Sequence, residues 1–98
     1  MGFCYEVQVD LATSAVAEWL DWIGPHAREV VASGGFDAAI IHADTASPGR
    51  YVIRYSATSV EHINRYLAEH APRLRADALE RFGDRMTASR RVLSEVTP

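Results

Sequence analysis

Phe3-Cys4-Tyr5-Glu6-Val7-Gln8-Val9-Asp10-Leu11 alternates without interruption, with Phe3, Tyr5, Val7, Val9 and Leu11 on one face and Cys4, Glu6, Gln8 and Asp10 on the other. Successive side chains of a strand point to opposite faces, so this period of two predicts a half-buried strand. The period then changes. Val16, Trp19, Leu20, Ile23, Ala27, Val30 and Val31 recur at helical spacing. They predict a helix over about 13–33, capped by Thr13 or Ser14 and stopped by Gly34-Gly35. Pro25, after Gly24, removes a hydrogen bond and predicts a kink or restart inside it.

Phe36 to Ala43 reads as a second strand and Ala46-Ser47-Pro48-Gly49 as a turn. Tyr51, Ile53, Tyr55 and Ala57 alternate with Val52, Arg54 and Ser56 as a third strand. Helical spacing returns with Ile63, Leu67, Ala71, Leu74, Ala78 and Phe82, predicting a helix over about 59–82, broken mid-way by Pro72 and ended by Gly83. Its positions Glu61, Arg65, Glu69, Arg73, Asp77 and Arg81 alternate in sign at i+4, the pattern of a solvated face. Met86 to Val96 reads as a fourth strand, where Arg90-Arg91 marks a bulge or an exposed edge.

The order is βαββαβ, and a shift of 47 residues lays Pro25 on Pro72, Val16 on Ile63, Leu20 on Leu67 and Ala27 on Leu74. Two similar βαβ halves with right-handed crossovers interleave as a four-stranded antiparallel sheet with two helices on one face. The fold class is therefore α+β, ferredoxin-like, in a single domain over residues 1–98. A chain of 98 residues buries only about two-thirds of its unfolded surface, so a homo-oligomer, most simply a homodimer, is expected.

Composition narrows the function classes. No window approaches a membrane span, and no basic-then-apolar leader opens the chain, which predicts a cytoplasmic protein with no membrane partner. Cys4 is the only cysteine, so an internal disulfide and a thiolate metal cluster are excluded, and it reads as a small buried hydrophobe. The net charge of −3 has the wrong sign for phosphate neutralisation, and no nucleic-acid partner is expected. The charge is uneven. Residues 1–49 carry seven acids and one base, Arg28, whereas residues 50–98 carry nine arginines and six acids. Such asymmetry marks either an interaction surface or internal matching between halves. Gly49-Arg50-Tyr51-Val52-Ile53-Arg54-Tyr55 faintly echoes an RNA-binding strand, but its tyrosines share the helix side with Ile53, leaving no stacking platform.

Two constellations carry potential chemistry. On the helix-free face Glu6 and Gln8 lie beside Arg54, with Arg90 approaching from the fourth strand and His42 from the second, depending on register. These five could line a ligand pocket. Glu6–Arg54 could equally be a cross-strand ion pair in water or in a dimer interface. The second constellation is His26 and His70, each close to its helix's proline and placed as near neighbours if the helices run parallel. A metal site needs a third ligand, and none is evident, so no metal is expected. Either histidine could instead bond the backbone groups that a kink frees. No phosphate loop, Ser–His–Asp order or metalloprotease motif appears, and no cofactor is implied.

Glu18-Trp19-Leu20-Asp21-Trp22, Tyr51-Val52-Ile53-Arg54-Tyr55, Tyr66-Leu67-Ala68-Glu69-His70-Ala71-Pro72-Arg73-Leu74-Arg75 and Arg81-Phe82-Gly83-Asp84 resemble, essentially end to end, a bacterial domain-of-unknown-function family of about this length. That family is similar to the dimeric α+β-barrel superfamily. The resemblance implies a homodimeric α+β barrel with a cavity between sheet and helices and a small-molecule-binding or accessory role. The superfamily also contains cofactor-independent monooxygenases and muconolactone-type isomerases, which implies as the alternative an enzyme using His26, His70 or His42 as a base.

Overall fold

The computed structural model describes residues 2–98. Strands β1 (Phe3–Leu11), β2 (Ala38–Ala43), β3 (Arg50–Ala57) and β4 (Met86–Ser94) form one sheet in the order β2-β3-β1-β4, with antiparallel neighbours throughout. The helices are α1 (Val16–Gly34), α2 (Val60–Glu69) and α3 (Ala71–Phe82). This is the ferredoxin-like arrangement. The core lies between sheet and helices, where Tyr5, Val9, Ile53 and Tyr55 meet Trp19, Val30, Ile63, Leu74 and Phe82.

Two expectations about the helices are corrected. First, α1 runs unbroken through Pro25. Pro25 and Asp21, whose carbonyl the proline leaves unpaired, both lie on the exposed side, where water can satisfy that oxygen. Second, neither Thr13 nor Ser14 caps α1 with its side chain; both belong to a 3-10 turn over Thr13–Ala15 that leads into the helix. The break expected at Pro72 is present: α2 and α3 meet at His70, with Pro72 in the first turn of α3, where a missing N–H costs nothing. The sequence-based strand ends also shift: Phe36 precedes β2 and is a buried core residue, and β4 ends at Ser94.

The glycine stop is as expected, with Gly35 left-handed at φ 67° as the cap of α1. Gly34 is required for a different reason. The Phe36 ring folds back so closely that a Cβ on Gly34 would sit 2.4 Å from it.

The charge asymmetry is internal matching. The described arginine–carboxylate pairs are Asp10–Arg50, Glu6–Arg54, Glu6–Arg91, Glu29–Arg73, Glu18–Arg81 and Glu18–Arg85, and each joins an acid before residue 50 to an arginine from 50 onward. Arg73 and Arg81 therefore reach across to α1 and do not form a ladder along their own helix.

Candidate functional site

The helix-free face carries Glu6, Gln8, Arg54 and His42, as expected from alternation, with Glu6 opposite Arg54, Gln8 opposite Val52, and His42 opposite Val52 from the other side. Arg90 is not there. β4 pairs with β1 without a bulge from Leu11–Met86 to Phe3–Ser94, which sets Arg91 opposite Glu6 and Arg90 opposite Val7. Arg90 thus points to the helix side, and Arg91 takes the position expected for it.

Arg54 Nε donates to Glu6 Oε1 at 2.9 Å, and Arg91 Nε donates to Glu6 Oε2. Glu6 is only 5% exposed although it lies on the helix-free face, where Arg54 and Arg91 both bond its carboxylate. The Arg91 hydrogen bond, reinforced by Arg54, holds the Glu6 carboxyl below its ordinary range against the opposing effect of burial. Gln8 and His42 make no side-chain hydrogen bond among the described residues, and His42 is exposed. Cys4, on the same face, is half-buried, and burial raises its thiol pKa.

A cleft lies on the other side, between sheet and helices. Its void is about 50 Å³, room for a few waters, since one water needs about 10–15 Å³. Trp19, Trp22, Tyr55 and Tyr66 form its aromatic walls, Val9, Ile23 and Leu74 contribute aliphatic surface, and His26, Arg75 and Arg90 supply charge or proton-accepting capacity. Arg75 donates to the Tyr5 hydroxyl at 3.2 Å. Trp19 is fully buried against Tyr51, with ring centroids 4.8 Å apart, and its indole N–H has no acceptor among the described residues. Burial pushes the Tyr66 hydroxyl up to about 12 and raises Tyr55 further, so both stay protonated as hydrogen-bond donors.

The two histidines separate. His26 lines the cleft, stacks on Trp22 with centroids 4.1 Å apart, and is shifted by burial toward its neutral form. His70 sits at the α2–α3 junction, where its N–H donates to the Tyr66 carbonyl at 2.9 Å and its carbonyl accepts from Leu74 N–H at 3.2 Å. Its Nε2 lies 4.0 Å from Glu69. No ring pairing or hydrogen bond joins the two histidines, and neither ring bonds the backbone, among the described residues. No group of three His, Cys, Asp or Glu side chains placed to hold a metal occurs among them either.

Sequence reasoning missed Trp19, Trp22, Tyr66 and Arg75 as cleft residues, because aromatic residues at helical spacing read simply as core. A signal for Arg90 was available. It occupies a helix-facing position in the run Met86, Ala88, Arg90, Val92, where alternation calls for an apolar side chain.

A family model for a domain of unknown function, DUF4286, matches residues 2–96. The chain belongs to this family. No curated protein matches it by sequence. Among solved structures, the cofactor-independent oxygenase SnoaB from Streptomyces nogalater superposes with a TM-score of 0.77 at 16% identity, covering 99% of this chain and 95% of that one. A candidate antibiotic biosynthesis monooxygenase from Deinococcus radiodurans gives 0.77 at 13% identity, covering 98% and 94%. A conserved protein from Methanosarcina mazei Go1 gives 0.74 at 8%, covering 98% and 94%. At these identities the likeness is one of fold, and this DUF4286 chain shares the ferredoxin-like α+β architecture of all three. No helix is long and apolar enough to cross a membrane among the described residues.

Proposed function

We propose that this protein is a small-molecule-binding α+β-barrel protein of the cytoplasm, working as a homodimer, with its ligand in the cleft between sheet and helices. The observation that carries the reading is Trp19: a fully buried indole N–H in the cleft wall with no acceptor. Buried donors are nearly always satisfied, and leaving one unpaired costs about 1–3 kcal/mol, so an acceptor from a guest molecule or trapped water completes the site. The void of about 50 Å³ is smaller than the roughly 300 Å³ of an ordinary ligand pocket, so the side chains at its mouth must move to admit a guest. Arg75 and Arg90 are exposed and free to do so. The homodimer rests on the sheet's second face, which has no helix over it and carries the exposed Ile40 on β2.

Of the residues expected to line a pocket on the helix-free face, Glu6 and Arg54 fit a different role: with Arg91 they form a closed ion triad. An enzymatic reading is favoured only by His26, a neutral histidine beside the cleft, placed to accept a proton from a guest. In that reading SnoaB, a cofactor-independent oxygenase of similar fold, supplies a chemical parallel. The test is native mass spectrometry of protein purified from its natural host. A stoichiometric small-molecule adduct is expected, and it should disappear in Ala88→Phe, which fills the cleft, and weaken in Trp19→Phe. An adduct retained by both variants would overturn the reading, as would the absence of any adduct.

A further inference from the structure

Six of the ten arginines hold a carboxylate, leaving Arg28, Arg65, Arg75 and Arg90 without one among the described residues. Two of these four, Arg75 and Arg90, line the sheet–helix cleft. They come from α3 and from β4, distant in sequence, and converge only in the folded chain. Among the described residues no Asp or Glu lines the cleft, although the chain carries 13 of them and is negative overall. With His26 shifted toward its neutral form, the cleft is a positive site in a negative protein.

The polar groups there point to the charge of the missing guest. Arg75 is steadied by the Tyr5 hydroxyl, and the Tyr5 ring lies 5.9 Å from Tyr55 and 5.8 Å from Tyr66, centroid to centroid. The charge of Arg90 acts on the hydroxyls of both Tyr55 and Tyr66, and that of Arg75 on Tyr66. Arg75 reaches only the Tyr5 hydroxyl, Arg90 holds no carboxylate and the Trp19 N–H has no acceptor among the described residues, so the cleft offers donors with no anion to match them. Arginine's planar fork matches a carboxylate, and aromatic walls match a planar body.

We propose that the cleft binds a small aromatic carboxylate, its ring among Trp19, Trp22 and Tyr55 and its carboxylate held by Arg75 and Arg90. This rests on the cleft being the ligand site and adds the class of guest. The out-of-pattern Arg90 then has a function, since an arginine on the core side of an edge strand is otherwise a poor choice for packing.

Trp19 and Trp22 are the chain's only tryptophans and both line the cleft, so their fluorescence reports its occupancy. Benzoate and its uncharged counterpart benzyl alcohol are titrated into the full chain. Benzoate is expected to quench or shift the emission with an affinity at least about tenfold above that of benzyl alcohol, the size of a charge-assisted contact. Arg90→Gln and Arg75→Gln should each remove most of that advantage while leaving benzyl alcohol unaffected. Arg28→Gln and Arg65→Gln, which change net charge equally but lie outside the cleft, should leave it intact. Equal affinity for the two probes, or equal losses in all four variants, would overturn the carboxylate inference while the cleft remained a ligand site. Silence toward both probes would overturn the cleft reading itself. Circular dichroism of each variant separates loss of binding from loss of fold, and Arg90, exposed on an edge strand, is the decisive position if Arg75→Gln disturbs Tyr5.

Discussion

Glu6→Gln keeps the side-chain length and removes the charge that two arginines share at the centre of the sheet. A hydrogen bond to a charged group contributes about 1.5–3 kcal/mol, and Glu6 accepts two. The Arg54 and Arg91 side chains are 51% and 66% exposed, so water screens both contacts and the loss falls to about 2 kcal/mol. For a chain this size, that lowers Tm by about 10 °C. The sign of the pH dependence follows from the depressed carboxyl. Glu6 stabilises the fold fully above the unfolded-state pKa, about 4.3, and that contribution disappears as pH falls through the lower folded-state value. The gap between parent and Glu6→Gln should therefore be wide at pH 7 and close in acid. The assay is thermal melting from pH 7 to pH 3 at one protein concentration, which matters if the protein dimerises. Arg91→Gln and the double variant complete a cycle, and losses less than additive are expected because the two side chains share one interaction. An unchanged Tm for Glu6→Gln, a gap that does not vary with pH, or strict additivity would refute the triad as a stabilising unit.

Gly34→Ala should destabilise the protein by about 1–3 kcal/mol in denaturant melts, since its methyl would meet Phe36 at 2.4 Å in a packed interior. Trp19→Phe should cost about 1–3 kcal/mol in melts, the loss from the cavity the smaller ring leaves, because no hydrogen bond is lost with the indole N–H. Burial depresses the His26 pKa, so the unfolded chain binds the extra proton first; parental stability should rise with pH up to about 6.5 and level off above it, and His26→Ala should flatten that rise in melts between pH 5 and 8. Light scattering at micromolar concentration should report about twice the 10.8 kDa chain mass, and a clean monomer would remove the homodimer from the proposed function.

Much of the fold was legible because burial imposes a period on sequence. Alternation along Phe3–Leu11 and Tyr51–Ala57 identifies the two central strands and which side of each meets the helices, and it correctly pairs Glu6 with Arg54. The 47-residue repeat reveals the two βαβ halves. The prolines were harder to interpret. Pro25 and Pro72 occupy equivalent positions, yet one sits inside an intact helix and the other begins a new one, since each outcome depends on whether water or packing satisfies the freed backbone.

The alternation of each strand, the sequence of elements and the mismatch of charge between halves are local or compositional properties, and the chain alone determined them. Register was decided only by the assembled sheet. A shift of one residue on β4 exchanges Arg90 and Arg91 between faces, and Arg90-Arg91 offers two identical side chains, so no local preference chooses between them. Tertiary pairing from Leu11–Met86 to Phe3–Ser94 makes the choice. It sends one arginine to close the Glu6 triad and the other to line, with Arg75, an aromatic cleft. The candidate site depends on that choice, because its residues come from β1, β3, β4 and three helices and become neighbours only when the helices pack on the sheet.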